Sequence, residues 1–318
     1  MKAIIYKEYG SPEVLQLKEI PTPNVQKNQI LVKQHASTVN SADVRLRKAD
    51  PFLVRLVYGL FKPKINVLGM VIAGEVEDVG TEVTQYKIGD KVFGLNDSTL
   101  GAYAQYTVVS ETTPLALLPK NTEYTEAAAT VFGAHTALYF LKKAAMIPGQ
   151  SILIYGASGA VGVAAIQLAK YYGAHVTAVT STDNIQFVLS LGADKTIDYT
   201  KINLKTIDQR YDVVYEAVDK TSVSTVARLL KPGGTLILCA AMIKSTLIGA
   251  VLSGIQKFRL INGVAVATSE DMRLIKQLIE SGDLKPVIDK TFDLEQIVEA
   301  HRYVDLGKKR GNVVIKIK

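Results

Sequence analysis

Residues 150–181 read QSILIYGASGAVGVAAIQLAKYYGAHVTAVTS, and this stretch decides the fold. After Ser151 come four apolar residues, then glycines at 156, 159 and 162, then an Ala- and Val-rich run to Lys170 whose spacing predicts a helix ended by Gly173. HVTAV, residues 175–179, predicts a second strand. Strand, glycine turn and helix in that order give a glycine triplet its meaning. The small residues let the backbone turn sharply and approach a pyrophosphate, whose charge is met by amide N–H groups and the positive end of the helix. The spacing is Gly-x-x-Gly-x-x-Gly, one residue away from the usual Gly-x-Gly-x-x-Gly, with Ala157 and Ser158 between the first pair. Dinucleotide binding is the expected role of this turn.

Outward from the turn the alternation continues. IQFVLSLG predicts a helix, YDVVYEAV a buried strand, STVARLL a short helix, KPGG a turn and TLILCAA another strand. A helical connector, TEAAATVFGAHTALYFLKKAAMI, leads in from the N-terminal side and is closed by Pro148-Gly149. Residues 123–262 are therefore expected to form a Rossmann domain, a doubly wound parallel α/β sheet. Residues 1–122 carry short alternating segments such as ILVKQHAS, AGEVEDVG, DKVFGL and AYAQYTVV, which predict a mostly β domain of irregular barrel type. Residues 263–318, with a helix at DMRLIKQLIESG and a final strand at GNVVIKIK, are expected to return to that first domain.

Composition narrows the class. A chain of 318 residues with 48% hydrophobic and 21% charged residues can bury a sizeable core. No apolar run reaches the roughly 18 residues that span a bilayer, and MKAIIYKEYG carries charges where a signal peptide needs an apolar core. No transmembrane segment and a cytoplasmic location are expected. The single cysteine, Cys239, excludes an internal disulfide and a thiolate-rich zinc lobe. The net charge of +7 is spread, with short clusters only at 45–48 and 308–310, so it reads as a solvated basic surface and no nucleic-acid partner is expected.

The end of the second strand bears on the cofactor. NAD-binding folds place an Asp or Glu there, which accepts from the ribose 2′-hydroxyl and repels a 2′-phosphate. Here the positions are Thr180 and Ser181, which favours NADPH, while Asp183 close by leaves NADH open.

Longer segments carry a resemblance. KEYGSPEVLQLKEIPTP, STVNSADVRLR, LGMVIAGEVEDVG, YKIGDKVFG, EAAATVFGAHTAL, YGASGAVG, SLGADKTIDY, LKPGGTL and RGNVVIKIK together resemble the zinc-free quinone oxidoreductase-like branch of the medium-chain dehydrogenase/reductase superfamily over essentially the whole chain. That resemblance implies a GroES-like catalytic domain beside the Rossmann domain, and a homodimer formed through the last Rossmann strands. It makes Ser158, Gly159, Ala160 and Val161 the pyrophosphate loop, and Thr180, Ser181, Asn184 and Tyr199 the adenosine and 2′-phosphate end. Relatives often carry a basic residue near 183 or 184, where this chain has Asp and Asn. The resemblance further implies that Val218, Ala240, Ala241 and Val266 line the cofactor cleft, that Asn40 and Thr136 lie near the nicotinamide, and that Asn312 touches the cofactor.

Zinc relatives need a Cys and a His-Glu pair, because zinc must polarise the alcohol oxygen. At the corresponding places stand Thr38-Val39-Asn40 and Met70-Val71, and no catalytic metal is expected. His35, His135, His175 and His301 are isolated, Cys239 reads as a packed core thiol, and the Tyr139/Lys143 pair precedes the glycine turn rather than following it. With neither metal nor nucleophile, a nicotinamide must carry the chemistry, and the acceptor must be activated already: a quinone or an α,β-unsaturated carbonyl compound. Asn40 is the candidate donor to the developing oxyanion, unless it is only a turn amide before a helix, and Arg45 is the candidate substrate-facing cation. Asp43 and Arg47, four apart, read as a surface pair. Two apolar segments stay open: residues 51–61 as core or as the wall of a site for a greasy acceptor, and 242–258 as a cover, a subunit contact or a membrane-surface contact. The alternatives are a zinc-free alcohol dehydrogenase-like enzyme and an NADPH-sensing or RNA-binding protein.

Overall fold

The computed structural model describes residues 1–240 and 243–318. They fall into two compact units, one of residues 1–132, 267–282 and 286–318, the other of residues 133–266 and 283–285.

The first unit opens with β1 (Lys2–Ile5) paired antiparallel to β2 (Gln16–Glu19). Its centre is β3 (Gln29–Val39), whose end feeds α1 (Ser41–Lys48) and α2 (Val54–Tyr58). β4 (Val71–Val79) runs antiparallel along β3, followed outward by β5 (Lys91–Leu95), while β6 (Tyr106–Ser110) takes the first part of the other edge of β3 and β7 (Leu115–Leu117) pairs with β5. The inward residues Ile30, Val32, Ile72, Val76, Val92, Val109 and Leu115 form one buried cluster. Each fully buried aliphatic side chain contributes roughly 1.5–3 kcal/mol.

One expectation is corrected here and one open alternative is decided. Asp43 and Arg47 are not a surface pair: both are fully buried, and the Arg47 guanidinium instead donates to Asp305 Oδ2 at 2.7 Å and to the Gly10 carbonyl at 3.2 Å. Residues 51–61 are not core: α2 buries no side chain, and Val57 is 69% and Phe61 87% exposed.

α3 (Tyr124–Ala144) carries the chain into the second unit. There β8 (Ser151–Tyr155), α4 (Ala160–Tyr171), β9 (His175–Thr180), α5 (Ile185–Ser190), β10 (Lys195–Asp198), β11 (Tyr211–Glu216), α6 (Val223–Ala227), β12 (Leu230–Leu238), α7 (Ile243–Gln256) and β13 (Arg259–Asn262) follow in turn. All six strands are parallel in the order β10-β9-β8-β11-β12-β13. That is the doubly wound Rossmann order, with its switch point between β8 and β11. Ile152, Leu153 and Ile154 are all buried, as a central parallel strand covered on both faces requires. KPGG, expected as a turn, lies within β12, where the register against β11 slips between Tyr211 and Val213. Cys239, just past β12, is half-buried rather than a core thiol.

The chain then returns to the first unit with α8 (Ser269–Ser281), β14 (Ile288–Asp293), α9 (Ile297–Asp305) and β15 (Asn312–Lys316). β15 pairs antiparallel with the end of β3, completing a seven-stranded, antiparallel-rich sheet that is separate from the parallel one. Among the described residues no helix is long and apolar enough to cross a membrane.

One of the tight backbone approaches in the second unit is at the glycine turn. A Cβ on Gly162 would stand 2.3 Å from the Gly156 carbonyl oxygen and 2.7 Å from the Ala157 backbone, atoms that cannot move without shifting α4 off β8. Gly162→Ala is expected to destabilise the protein by about 1–3 kcal/mol, read as a lower urea midpoint.

Candidate functional site

In the second unit the glycine turn is shaped for close approach. Gly156 sits at φ +78°, a left-handed conformation that other residues adopt only with strain, and a Cβ there would lie 2.7 Å from Val218 Cγ1. Gly159 is the N-cap of α4, so no side chain caps the first N–H groups of this twelve-residue helix. Ser158 and Val161 are half-buried on either side of it and Ala160 is buried. This is a cradle for an anionic group: open at Gly159, walled by Val218, and facing the positive end of a helix dipole.

The ribose-end residues meet beside it. The Asn184 amide donates to Ser158 Oγ at 3.3 Å and Ser181 Oγ at 3.1 Å, which ties the glycine turn to the end of β9. Tyr199 N donates to the Thr180 carbonyl at 3.1 Å, and its ring lies 6.2 Å from that of Tyr155. Thr180 Oγ1 and Asn184 Oδ1 are buried without a hydrogen-bond partner, an unusual cost unless a ligand supplies one. Asp183 is exposed in the 3-10 turn that precedes α5. Of the remaining expected cofactor residues in this unit, Thr136 is buried on α3, Ala240 is half-buried after β12 and Val266 is 59% exposed. Ala241 lies outside the described residues.

A carboxylate that sequence reasoning missed fixes the Val218 wall. Glu216 is buried at the end of β11 and accepts from the N–H groups of Val218 (3.2 Å), Asp219 (2.7 Å) and Lys220 (3.4 Å). Burial pushes its carboxyl up to about 6, with those three N–H groups pulling the other way.

In the first unit the candidate residue is Asn40, the buried N-cap of α1. Its Oδ1 accepts from Ala42 N (2.8 Å) and Asp43 N (3.1 Å), while its own N–H donates to Asp43 Oδ2 at 3.1 Å, a reciprocal capping box. The turn-amide role is therefore real, and it leaves the amide Nδ2 buried without a hydrogen-bond partner. Arg45 is half-buried on α1. Asn312 is buried on β15, where its Nδ2 donates to the Val287 carbonyl at 3.1 Å.

This architecture is matched by known proteins. The model of the alcohol dehydrogenase GroES-like domain matches residues 26–120, and that of the zinc-binding dehydrogenase family residues 191–315. The chain is 36% identical to the 2-methylene-furan-3-one reductase of Solanum lycopersicum over 99% of this chain and 79% of that one, and 34% identical, with the same coverage, to the chloroplastic NADPH-dependent alkenal/one oxidoreductase of Arabidopsis thaliana. The structure of the quinone oxidoreductase from Coxiella burnetii superposes with a TM-score of 0.90 at 29% identity, covering 100% of this chain and 99% of that one. The chain belongs to the quinone oxidoreductase-like branch of the medium-chain dehydrogenase/reductase superfamily.

Within that superfamily the zinc question is answered by residue chemistry. The hydroxyl, amide, thioether and alkyl side chains of Thr38, Asn40, Met70 and Val71 do not suit a zinc ion, and among the described residues no three His, Cys, Asp or Glu side chains cluster as metal ligands. Asp43 is the other functional residue misread from sequence; the Asn-x-x-Asp spacing of a capping box was its signal. Burial pushes its carboxyl up to about 7, opposed by the Asn40 N–H it accepts. A folded-state value above the unfolded one means that protonation favours the fold fully below about pH 4, and that this contribution is lost as pH rises through about 7. Asp43→Asn, which keeps an acceptor for the Asn40 N–H, is expected to raise the melting temperature at pH 8.5, where the ionisation cost is up to about 4 kcal/mol, and to have no such effect at pH 4.

Proposed function

We propose that this chain is a zinc-independent, NADPH-dependent oxidoreductase that reduces quinones or α,β-unsaturated carbonyl compounds. The observation that carries the reading is the near-full-length similarity to reductases named for enone and alkenal substrates, in a chain whose Rossmann unit keeps an uncapped glycine turn. Ser158, Gly159, Ala160 and Val161 hold the pyrophosphate against the start of α4, and Thr180, Ser181, Asn184 and Tyr199 hold the adenosine end, where two unpartnered polar atoms favour a ligand. Thr136, Val218, Ala240, Ala241, Val266 and Asn312 take the lining roles that the family resemblance implies. When bound, NADPH supplies a hydride, which an enone accepts at its β-carbon as the electron pair moves onto the carbonyl oxygen. Asn40 Nδ2 donates to that oxygen, held in place by the capping box so that little reorganisation accompanies the charge development. Water supplies the proton that completes the reduction at the α-carbon. Arg45 faces the substrate.

The same reading includes a cytoplasmic homodimer. It is supported by β13, which ends the parallel sheet as an edge strand, and by α7, which leaves Leu247, Val251 and Ile255 exposed.

The enzyme is expected to oxidise NADPH in the presence of a metal chelator with a medium-chain enone, an ortho-quinone or a para-quinone. Absence of turnover with all three would overturn the reading. Asn40→Ser keeps a capping oxygen and removes the amide donor. It is expected to lower kcat for the enone about 100-fold while the melting temperature stays at the wild-type value.

A further inference from the structure

Residues 51–64, PFLVRLVYGLFKPK, turn six large apolar side chains into solvent along one short stretch of the first unit: Phe52, Leu53, Leu56, Val57, Leu60 and Phe61 are all exposed. A contiguous apolar patch of this kind marks a surface that something covers. The exposure does not come from slack backbone. Within the stretch, Arg55 N donates to the Phe52 carbonyl at 3.0 Å, Gly59 N to the Arg55 carbonyl at 2.9 Å and Lys64 N to the Tyr58 carbonyl at 2.8 Å. From outside, the Tyr9 hydroxyl donates to the Gly59 carbonyl at 2.8 Å, and just beyond the stretch Tyr6 N donates to the Asn66 carbonyl at 2.9 Å. Gly59, at φ +123°, makes the turn between Tyr58 and Leu60, where a Cβ would stand 2.0 Å from the Lys62 carbonyl oxygen. The fold therefore holds these apolar tips outward.

The charge within the stretch has one sign. Arg55, Lys62 and Lys64 are its only charged residues. The Arg55 guanidinium lies over the Tyr9 and Phe52 rings, 4.8 and 5.6 Å from their centroids, so a cation sits at the base of the apolar patch. Lys62 and Lys64 are exposed beside Phe61, the tip of the patch. Two carboxylates stand at the margin: Asp50, exposed just before the stretch, and Asp97, whose charge acts on Tyr58. The apolar face of α7 in the second unit differs, because Lys244 is the one charged residue of that helix and nothing on its exposed face selects a charged partner.

This pattern decides what covers the patch. α2 has five residues, too few to offer a groove-binding partner the stripe of anchors that a longer helix presents. Aromatic and aliphatic tips with lysines on their flank are what enters the boundary between headgroups and acyl chains, the long lysine stems letting the ammonium groups reach lipid phosphates. The net charge of +7 favours an anionic surface for the chain as a whole. We propose that residues 51–64 seat the first unit on an anionic lipid bilayer, with Phe52, Leu56, Val57 and Phe61 entering the headgroup layer and Arg55, Lys62 and Lys64 meeting lipid phosphates. The contact is peripheral and does not depend on the reaction proposed above.

The chain has no tryptophan, so Phe61→Trp places a single indole at the tip of the patch. With the full-length protein, vesicles of phosphatidylcholine containing about one third phosphatidylglycerol are expected to shift its emission to the blue, and brominated acyl chains to quench it. Vesicles of phosphatidylcholine alone are expected to bind about tenfold more weakly, a difference that added salt removes. Ile255→Trp on α7 is expected to show neither shift nor quenching. In flotation with the same vesicles, Val57→Ser/Phe61→Ser is expected to lose binding at the wild-type melting temperature, and Lys62→Gln/Lys64→Gln to lose only the preference for anionic lipid. Unchanged emission of Phe61→Trp on anionic vesicles overturns the proposal, as does wild-type flotation by Val57→Ser/Phe61→Ser. Quenching of Ile255→Trp without quenching of Phe61→Trp moves the contact to α7 and overturns it too. No flotation by the wild type, together with a lower solution mass for Val57→Ser/Phe61→Ser, gives the patch to a second copy of the chain and likewise overturns it.

Discussion

Helix α4 can begin directly against the end of β8 because Gly162 lets its backbone rest on the Gly156 carbonyl, and most of the second unit depends on that contact. With α4 drawn in, its first N–H groups face the turn, and Gly159 in the N-cap position leaves them without a side-chain acceptor. The left-handed Gly156 then makes room for Val218, so the loop after β11 can close over the turn from the other side of the switch point. A Cβ at Gly162 would have to displace backbone, and one at Gly156 the Val218 side chain. The price of this packing is conformational freedom, and the sheet meets it with three buried aliphatic residues in a row on β8.

Buried carboxyl groups do the fastening in both units, by the same physics. Glu216 holds the loop after β11 through three backbone N–H groups, and Asp43 closes the capping box on Asn40. Each carboxyl is taken out of water and answers with a raised affinity for its proton, so the fastening is bought with ionisation energy. The result is a fixed wall in one unit and a fixed amide in the other. Arg47 follows the opposite strategy: its charge is buried but paired with Asp305 at 2.7 Å, so α1 is anchored to α9.

The parallel sheet was legible in the sequence because its strands are apolar on both faces and its turn is marked by glycines. β14 and α9 were not. β14 reads IDKTFD and buries no side chain fully, so its pairing with β15 leaves no alternation to detect. α9 has a sound apolar stripe, but nothing between it and α8 separates it from a loop by pattern alone. Asn40 was legible as a candidate, and the cap that orients it was legible in principle from Asn-x-x-Asp. What spacing could not give was burial: Asp43 and Arg47 have the separation of a surface ion pair, and only Asp305, far along the chain, reveals why Arg47 is inside.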